Sequence, residues 1–461
     1  VPDDIPRIAG VINANHTTPL SHTNVLATGW QIPNAIQIGV LEEIAAKQLD
    51  GQWVRYAVDM NSSRITLEKV DRPAEIPQRP SWSIQRIRLE EPETVNTPIV
   101  GLDRLRMSGR FRYGTKAANL GELFHVLAHG SERMLGFYKV RRPPRANLLP
   151  YLASHLGLPA DADAHALAAA ALDFLRAKIR IPRGIAIPFS VQQTVLESSP
   201  KVQQALGKLK MALELDRREI DAVCVQLQQM IRAIRIPDRI RDYIDSEIAG
   251  TLGGVSSFVV RSSSNAEDLE NFSAAGMYES IIHVTTAEKL FQAIKDVWAS
   301  QLSPRSVRFV HQAGISLDDC YMGVIVQEEA SADIGGVLVT TNPMNRGDFR
   351  NVYVNVSAKS VGSVVHGEEL PFQYLYNSVE GGGRTLSIGD AEKDLSDDRK
   401  ALLQDLAFAG RLLQAHFSRD YTFAMPLDIE WVAGPDEEAL VSPGDKAPPV
   451  LKIVQLRPYS K

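Results

Sequence analysis

Val259-Val260-Arg261-Ser262-Ser263-Ser264-Asn265-Ala266-Glu267-Asp268-Leu269, followed shortly by Ser273-Ala274-Ala275-Gly276-Met277-Tyr278-Glu279-Ser280, is the stretch on which the fold turns. Its apolar start, residues 258–262, is strand-like. The strand ends on Arg261, a planar and permanently charged side chain that suits bidentate contact with phosphate. Small residues around Gly276 let backbone approach a polyphosphate closely. Read alone, Arg261 is better explained by a buried salt bridge with Glu267 or Asp268.

Working outward, Gly114-Thr115-Lys116-Ala117-Ala118-Asn119-Leu120-Gly121-Glu122 opens a helix over residues 116–129. A glycine turn at a helix start presents N–H groups and the Lys116 amine to phosphates, although lysine at a helix start is common. Ile181-Pro182-Arg183-Gly184-Ile185-Ala186-Ile187-Pro188 reads as an architectural strand. Gln327-Glu328 follows the strand-like run 322–326 and by itself is a strand end. Further on come Asp428-Ile429-Glu430-Trp431 and Ile453-Val454-Gln455-Leu456-Arg457-Pro458. Strand alternation puts Asp428 with Glu430 on one face, and Gln455 with Arg457 on one face. Hard oxygen ligands suit Mg²⁺, while an isolated pair of this kind is ordinarily a solvated strand face.

Near the start, Thr17-Thr18-Pro19-Leu20-Ser21-His22-Thr23-Asn24-Val25-Leu26-Ala27 places His22 beside a helix N-terminus that Thr18 or Ser21 can cap. Free N–H groups and the helix dipole there favour an anion, such as a phosphoryl group on His22. A largely neutral imidazole is able to attack phosphorus. A histidine taken at random is structural, and His16 is read as structural or supporting.

The organisation follows from composition. Residues 32–38 read as a strand, and 53–58 with 64–70 as a strand pair across Asn61-Ser62-Ser63. Prolines at 73, 77, 80, 92 and 98 mark a linker, residues 71–98, able to reach roughly 90 Å at about 3.3 Å per residue. Helical patterns cover 148–178, 200–250 and 287–301, and the last third reads as short strands. Lys plus Arg total 50 and Asp plus Glu total 55, a net charge of −5, which gives no basic excess for nucleic acid. No run of about 20 apolar residues is long enough to cross a membrane. Cys224 and Cys320 read as buried small hydrophobes, which fits a reducing, cytoplasmic setting. The opening Val1-Pro2-Asp3-Asp4-Ile5-Pro6 reads as the interior of a longer chain.

Together these stretches resemble the pyruvate phosphate dikinase and phosphoenolpyruvate synthase superfamily. The Thr-Pro-Leu-Ser-His segment and the downstream Ile32-Pro33-Asn34-Ala35 are similar to its phosphohistidine swivelling domain, over about residues 5–70. The Lys116 stretch resembles Gly-Gly-Lys-x-Ala-Asn-Leu-Gly-Glu of its ATP-grasp domain, with Thr115 replacing the second glycine. The two C-terminal strands resemble Asp-x-Glu-Trp and Val-Gln-x-Arg-Pro. Ser280 stands where many members have Thr, and Thr28-Gly29-Trp30 where many carry Arg, so support for a phosphorylated His22 comes from elsewhere.

The resemblance implies an α/β and α+β multidomain chain. A small β/α phosphohistidine domain (1–70, expected to begin upstream of Val1) is followed by the linker (71–98) and a two-lobed ATP-grasp domain. The first lobe is 99–322, with a helical insert, and the second is 323–461. It implies ATP and Mg²⁺ as cofactors. Lys116, Arg261, Gly276, Ser280 and Arg457 would hold ATP, with Gln327 and Glu328 reading adenine at the hinge between lobes. Glu430, Gln455 and Asp428 would hold metal, and His22, Lys116 and Arg457 would be catalytic. The histidine would take the β-phosphoryl, with AMP as eventual product. A histidine domain placed first, with no barrel after Arg457-Pro458, resembles the order in glucan water dikinases. The acceptor is left open between a glucan or other carbohydrate, a pyruvate-like acid and another small molecule, bound by a region expected upstream. Two rivals stand beside this dikinase-type phosphotransferase. One is a ligase of the superfamily that couples an activated acid or alcohol to an amine. The other is a non-catalytic ATP-binding regulator, against which the joint retention of His22, Lys116, Arg261, Glu430, Gln455 and Arg457 argues.

Overall fold

The computed structural model describes residues 10–21, 24, 27, 32–58, 65–72, 89, 92–94, 97–140, 147–215, 219–267, 277–345, 347–357, 370–391, 393–418, 425–435 and 449–459. His22, Asp268 and Gly276 lie outside the described residues, as does most of 71–98.

Two mixed-composition layers organise the chain beyond residue 99. A five-stranded antiparallel sheet has the order β5 (Val100–Gly101), β7 (Gly184–Ile187), β10 (Met322–Glu328), β8 (Phe258–Ser264), β9 (Ser280–Val284). A seven-stranded sheet has the order β14 (Gly383–Ser387), β13 (Phe372–Asn377), β12 (Asn351–Ser357), β11 (Ile334–Val339), β15 (Leu427–Pro435), β16 (Pro449–Pro458), β6 (Ile179–Arg180). Only its last pair, β16 with β6, is parallel. The chain passes from the first sheet to the second between Glu328 and Ile334, so the strand that straddles residue 322 lies wholly in the first.

Each sheet has its own core. Helices Pro200–Glu214, Ile220–Ala233 and Ala287–Ser300 cover the five-stranded sheet, burying Leu209, Leu227, Ile231 and Trp298 with Ile187 and Val324. Their starts are set locally: Ser199 caps the first with Pro200 behind it, and Thr286 caps the third. The seven-stranded sheet packs Leu338, Val354, Ile429 and Ile453 against helix Asp397–Phe417, together with Leu120 and Leu175 from helices Thr115–His129 and Ala164–Lys178. Residues 102–179 therefore join the core of the second sheet although they precede the first in sequence.

The helical and strand patterns over 116–129, 148–178, 200–250, 258–262 and 287–301 are realised within a residue or two at most boundaries, with a break between Leu149–His155 and Ala164–Lys178. The 21-residue helix Asp397–Phe417 is not anticipated by a strand-rich reading of the last third. From Leu403 onward it is buried on nearly every side, so it lacks the one-sided stripe by which a surface helix is recognised. Cys224 is buried as expected, whereas Cys320 is only half-buried, its Sγ donating to the carbonyl of Ser316.

The described residues between 10 and 70 include a smaller core of their own. β1 (Val11–Asn13) pairs in parallel with β2 (Asn34–Ile36), and β3 (Val54–Val58) is antiparallel to β4 (Ile65–Lys69) around a core of Val40, Leu49 and Leu67. Of the proline-rich segment, Leu89 is buried against Ala266, Val310 and Ile315, and Glu93 is ion-paired with Arg112. These contacts fasten the later part of the expected linker to the larger body and shorten its reach.

Candidate active site

The seven-stranded sheet has one face turned to its helices and one turned away. Leu427, Ile429 and Trp431 of β15 enter the core, so alternation sends Asp428 and Glu430 to the other face. On β16 the partners of Asp428 and Glu430 are Arg457 and Gln455. A register shift in this pair between Glu430 and Trp431 lets Ile453 and Leu456 both reach the core while Gln455 and Arg457 share the opposite face with the acids. All four side chains thus occupy one patch.

Arg261 reaches this patch from the other sheet. Its Nη1 lies 3.5 Å from Glu430 Oε2, both side chains being mostly covered. Arg457 donates through Nε and Nη2 to Asp428 Oδ2, at 2.9 and 2.8 Å. Burial pushes the Asp428 carboxyl up from its ordinary range, and the neighbouring Glu430 adds to this while Arg457 opposes it. Two buried atoms in the patch have no partner: Arg261 Nε, a donor, and Asp428 Oδ1, an acceptor. Buried polar groups are nearly always paired, so a bound group or water that accepts from Arg261 Nε and donates to or coordinates with Asp428 Oδ1 would complete the patch. Ser280 faces Arg261 directly in the β8–β9 register.

Lys116 is placed by the packing of helix Thr115–His129 between the two sheets. Gly114 enters it at φ 86°, and a side chain there would overlap the Ser263 carbonyl, so only glycine allows this approach. Ala117 N donates to Ser263 Oγ at 3.0 Å on one sheet, and Asn119 Nδ2 to the Leu456 carbonyl at 2.9 Å on the other. The Lys116 ammonium lies 2.9 Å from Glu267 Oε1 and 3.1 Å from Ser262 Oγ. Glu267 is itself folded back by bonds from Ser262 Oγ and Ser264 N. Of the two salt-bridge partners expected for Arg261, Glu267 therefore belongs to Lys116, because the turn after β8 aims it inward, and Asp268 lies outside the described residues.

Glu122, from the same stretch, holds the helix rather than a ligand. It accepts from Arg106 Nε and Met107 N, both at 3.0 Å, and from His416 Nε2 at 2.9 Å. Burial alone would raise its carboxyl, but these donors outweigh it and hold the pKa at about 2. Burial holds the His416 ring below its usual value despite Glu122, and its Nε2 faces Glu122 while Nδ1 faces the Ser131 hydroxyl. Glu122→Ala should cost about 1–3 kcal/mol in denaturant titration, because Met107 N and the buried ring of His416 lose their partner, while the half-exposed Arg106 can turn to solvent. The lowered pKa means that the Glu122 contribution is complete above its ordinary value of 4.5 and is lost as pH falls towards about 2. Stability measured across that window should fall less steeply in Glu122→Gln than in the native chain.

The remaining candidates are arranged differently. Gln327 is buried near the end of β10, its Nε2 donating to the Pro182 carbonyl at 3.2 Å, and Glu328, the last residue of that strand, is paired with Arg183 at 3.2 Å. Their polar contacts are with the 182–183 segment rather than with the Arg261 patch. His16 is exposed. His22 and Gly276 lie outside the described residues. No group of three or more His, Cys, Asp or Glu side chains placed to hold a metal occurs among the described residues, and no described helix is long and apolar enough to cross a membrane. Sequence reading missed Glu267 as the residue that orients Lys116; the signal was a carboxylate in the turn directly after three serines.

Residues 166–461 match the family described as pyruvate phosphate dikinase, AMP/ATP-binding domain. Rifampicin phosphotransferase of a Streptomyces species is 27% identical over 279 residues, covering 56% of this chain and 31% of that protein. The protein of the same name from Bacillus subtilis is 27% identical over 276 residues, again 56% and 31%. A probable phosphoenolpyruvate synthase of Archaeoglobus fulgidus is 23% identical over 284 residues, covering 56% of this chain and 36% of that protein. The alignments thus span about a third of the length of these relatives. The family match covers well over half of the chain and takes in Arg261, the two acids and Arg457, and the chain belongs to the pyruvate phosphate dikinase and phosphoenolpyruvate synthase superfamily through this nucleotide-binding domain.

Proposed function

We propose that this chain is the ATP-using part of a dikinase-type phosphotransferase. In this reading residues 99–461 are a two-lobed ATP-grasp unit, and residues 1–70 are a swivelling domain that carries His22 as phosphoryl acceptor. The observation that carries it is the Arg261–Glu430 and Asp428–Arg457 patch between the two sheets, with its orphaned donor and orphaned acceptor.

The charges in that patch explain why a metal nucleotide fits better than a bare anion. A phosphate drawn to Arg261 meets the Glu430 carboxylate 3.5 Å away. Mg²⁺ takes few protein ligands, one or two carboxylates completed by phosphate oxygens, and Glu430, Gln455 and the free Asp428 Oδ1 provide such a set. Bound there, the ion would offset phosphate charge during transfer. Arg261 Nε would donate to phosphate, Lys116 would add a second cation held in place by Glu267, and Arg457 would be steadied by Asp428. The Gln327–Glu328 strand end leads into the crossing between sheets, and in this reading its main chain is what meets adenine. His22 would attack the β-phosphorus, the bond to the α-phosphate would break with its electrons going to AMP, water would then take the terminal phosphate from the β,γ-diphosphate on the imidazole as inorganic phosphate, and the imidazole would pass the remaining β-phosphoryl group to an acceptor of carbohydrate, pyruvate-like or other small-molecule class.

Glu430→Gln tests the metal part. It should slow labelling of the protein by Mg²⁺-ATP about tenfold or more, since charge stabilisation by a metal is worth several kcal/mol. Folding should be unchanged, the two side chains having the same shape. Labelling at the native rate across a Mg²⁺ titration would remove the metal assignment.

A further inference from the structure

The face of the seven-stranded sheet that carries the candidate site continues past β15. Val337 and Val339 of β11 stand directly opposite Glu430 and Asp428 in register, and Tyr353, Asn355 and Leu375 extend the same face across β12 and β13. The face is therefore polar over β15 and β16 and apolar over β11 to β13. A sheet face of this kind needs a cover, and part of it comes from the first domain. Leu20 is buried among Val337, Val339, Tyr353 and Leu375. Asn355 Nδ2 donates to Thr18 Oγ1 at 3.2 Å.

The segment that makes these contacts is shaped in advance by its own domain. Asn24 Nδ2 donates to the Thr18 carbonyl at 2.7 Å and to Thr17 Oγ1 at 2.9 Å, Asn13 holds Asn24 in turn, and Ser21 N closes a turn on the Thr18 carbonyl. Leu20 thus protrudes from a braced loop. The seat is also imperfect: Ser21 Oγ and Asn355 Oδ1 are both buried and have no partner. Unpaired buried polar atoms weaken an interface, and among the described residues this one rests on Leu20 and one hydrogen bond, so it is suited to being made and broken.

We propose that Thr18 and Leu20 form a docking key, and that Val337, Val339, Tyr353, Leu375 and Asn355 form its socket, seating the first domain on the strand beside the one that carries the Asp428–Glu430 pair. The proposal rests on the transfer reading above and deepens it by naming positioning residues that touch neither nucleotide nor metal.

The test uses the full chain. Leu20→Asp should slow ATP-dependent labelling of His22 about tenfold or more at saturating Mg²⁺-ATP, a loss typical of misplacing a reacting group, with ATP affinity by calorimetry unchanged. Leu20→Met should restore most of the rate. Independently, Thr18→Cys/Asn355→Cys should form a disulfide under mild oxidant, seen by intact mass, while neither single variant does. Native-rate labelling in Leu20→Asp, or a loss matched by lost ATP affinity, overturns the positioning role. If the native chain binds ATP but takes no label, the transfer reading fails, and with it the positioning role; the crosslink then judges docking alone, and its absence overturns that too.

Discussion

Arg261→Ala is expected to weaken Mg²⁺-ATP binding ten- to a hundredfold, read by calorimetry. A hydrogen bond to a charged group is worth about 1.5–3 kcal/mol, and each 1.4 kcal/mol is about a factor of ten in Kd. The guanidinium stands at the meeting of the two sheets, its Nε has no partner among the described residues, and its ion pair with Glu430 is long at 3.5 Å. It is held by little inside the protein, so its removal should be felt in ligand binding more than in stability, and the thermal midpoint serves as the check. Arg308→Ala is the control: Arg308 is bonded through both arms to Asp221 on a helix of the five-stranded layer, far in role from the patch, and its loss should leave ATP affinity unchanged. Arg183 would be a poor control, because it holds Glu328. Equal ATP affinity in Arg261→Ala and the native chain would show that Arg261 is a structural ion-pair residue, as its sequence read without flanks suggests.

His22→Ala is expected to reduce ATP-dependent labelling of the protein to background while leaving ATP affinity intact. Lys116, Arg261, Glu430, Gln455 and Arg457 all lie beyond residue 99, so the nucleotide site does not draw on the histidine. The label should be lost in acid and kept in base, as a phosphoramidate is, and His16→Ala should retain it. Equal labelling of native chain and His22→Ala would move the acceptor elsewhere and favour the regulatory or ligase readings.

The local chemistry of the site was legible in the sequence because alternation is a local rule. Asp428 with Glu430, and Gln455 with Arg457, share a face as spacing requires, and the helix begun by Gly114 is where its glycine and apolar pattern put it. Partners across sheets were not legible. Arg261 pairs with a residue 169 positions away, while the nearby Glu267 goes to Lys116 because a turn folds it inward. Nor was the order of packing, since residues 102–179 join a core completed only after residue 334. The helix Asp397–Phe417 carried its start signals, Ser396 as cap and acids Asp397 and Asp398 in the first turn, but its buried second half hides the period. The seat of Leu20 depends on strands β11 to β13 lying side by side, which no spacing in the first domain foretells.

In the proposed reaction this chain moves a phosphoryl group from ATP to His22. Its most direct test is to incubate the full chain with Mg²⁺ and ATP labelled in either the β- or the γ-phosphate, and to follow protein label, intact mass and nucleotide products together. The expected result is label from the β-phosphate on His22, a mass gain of one phosphoryl group, and AMP and inorganic phosphate in proportion. Label from the γ-phosphate with ADP as product, or bound ATP with no label on the protein, would contradict it.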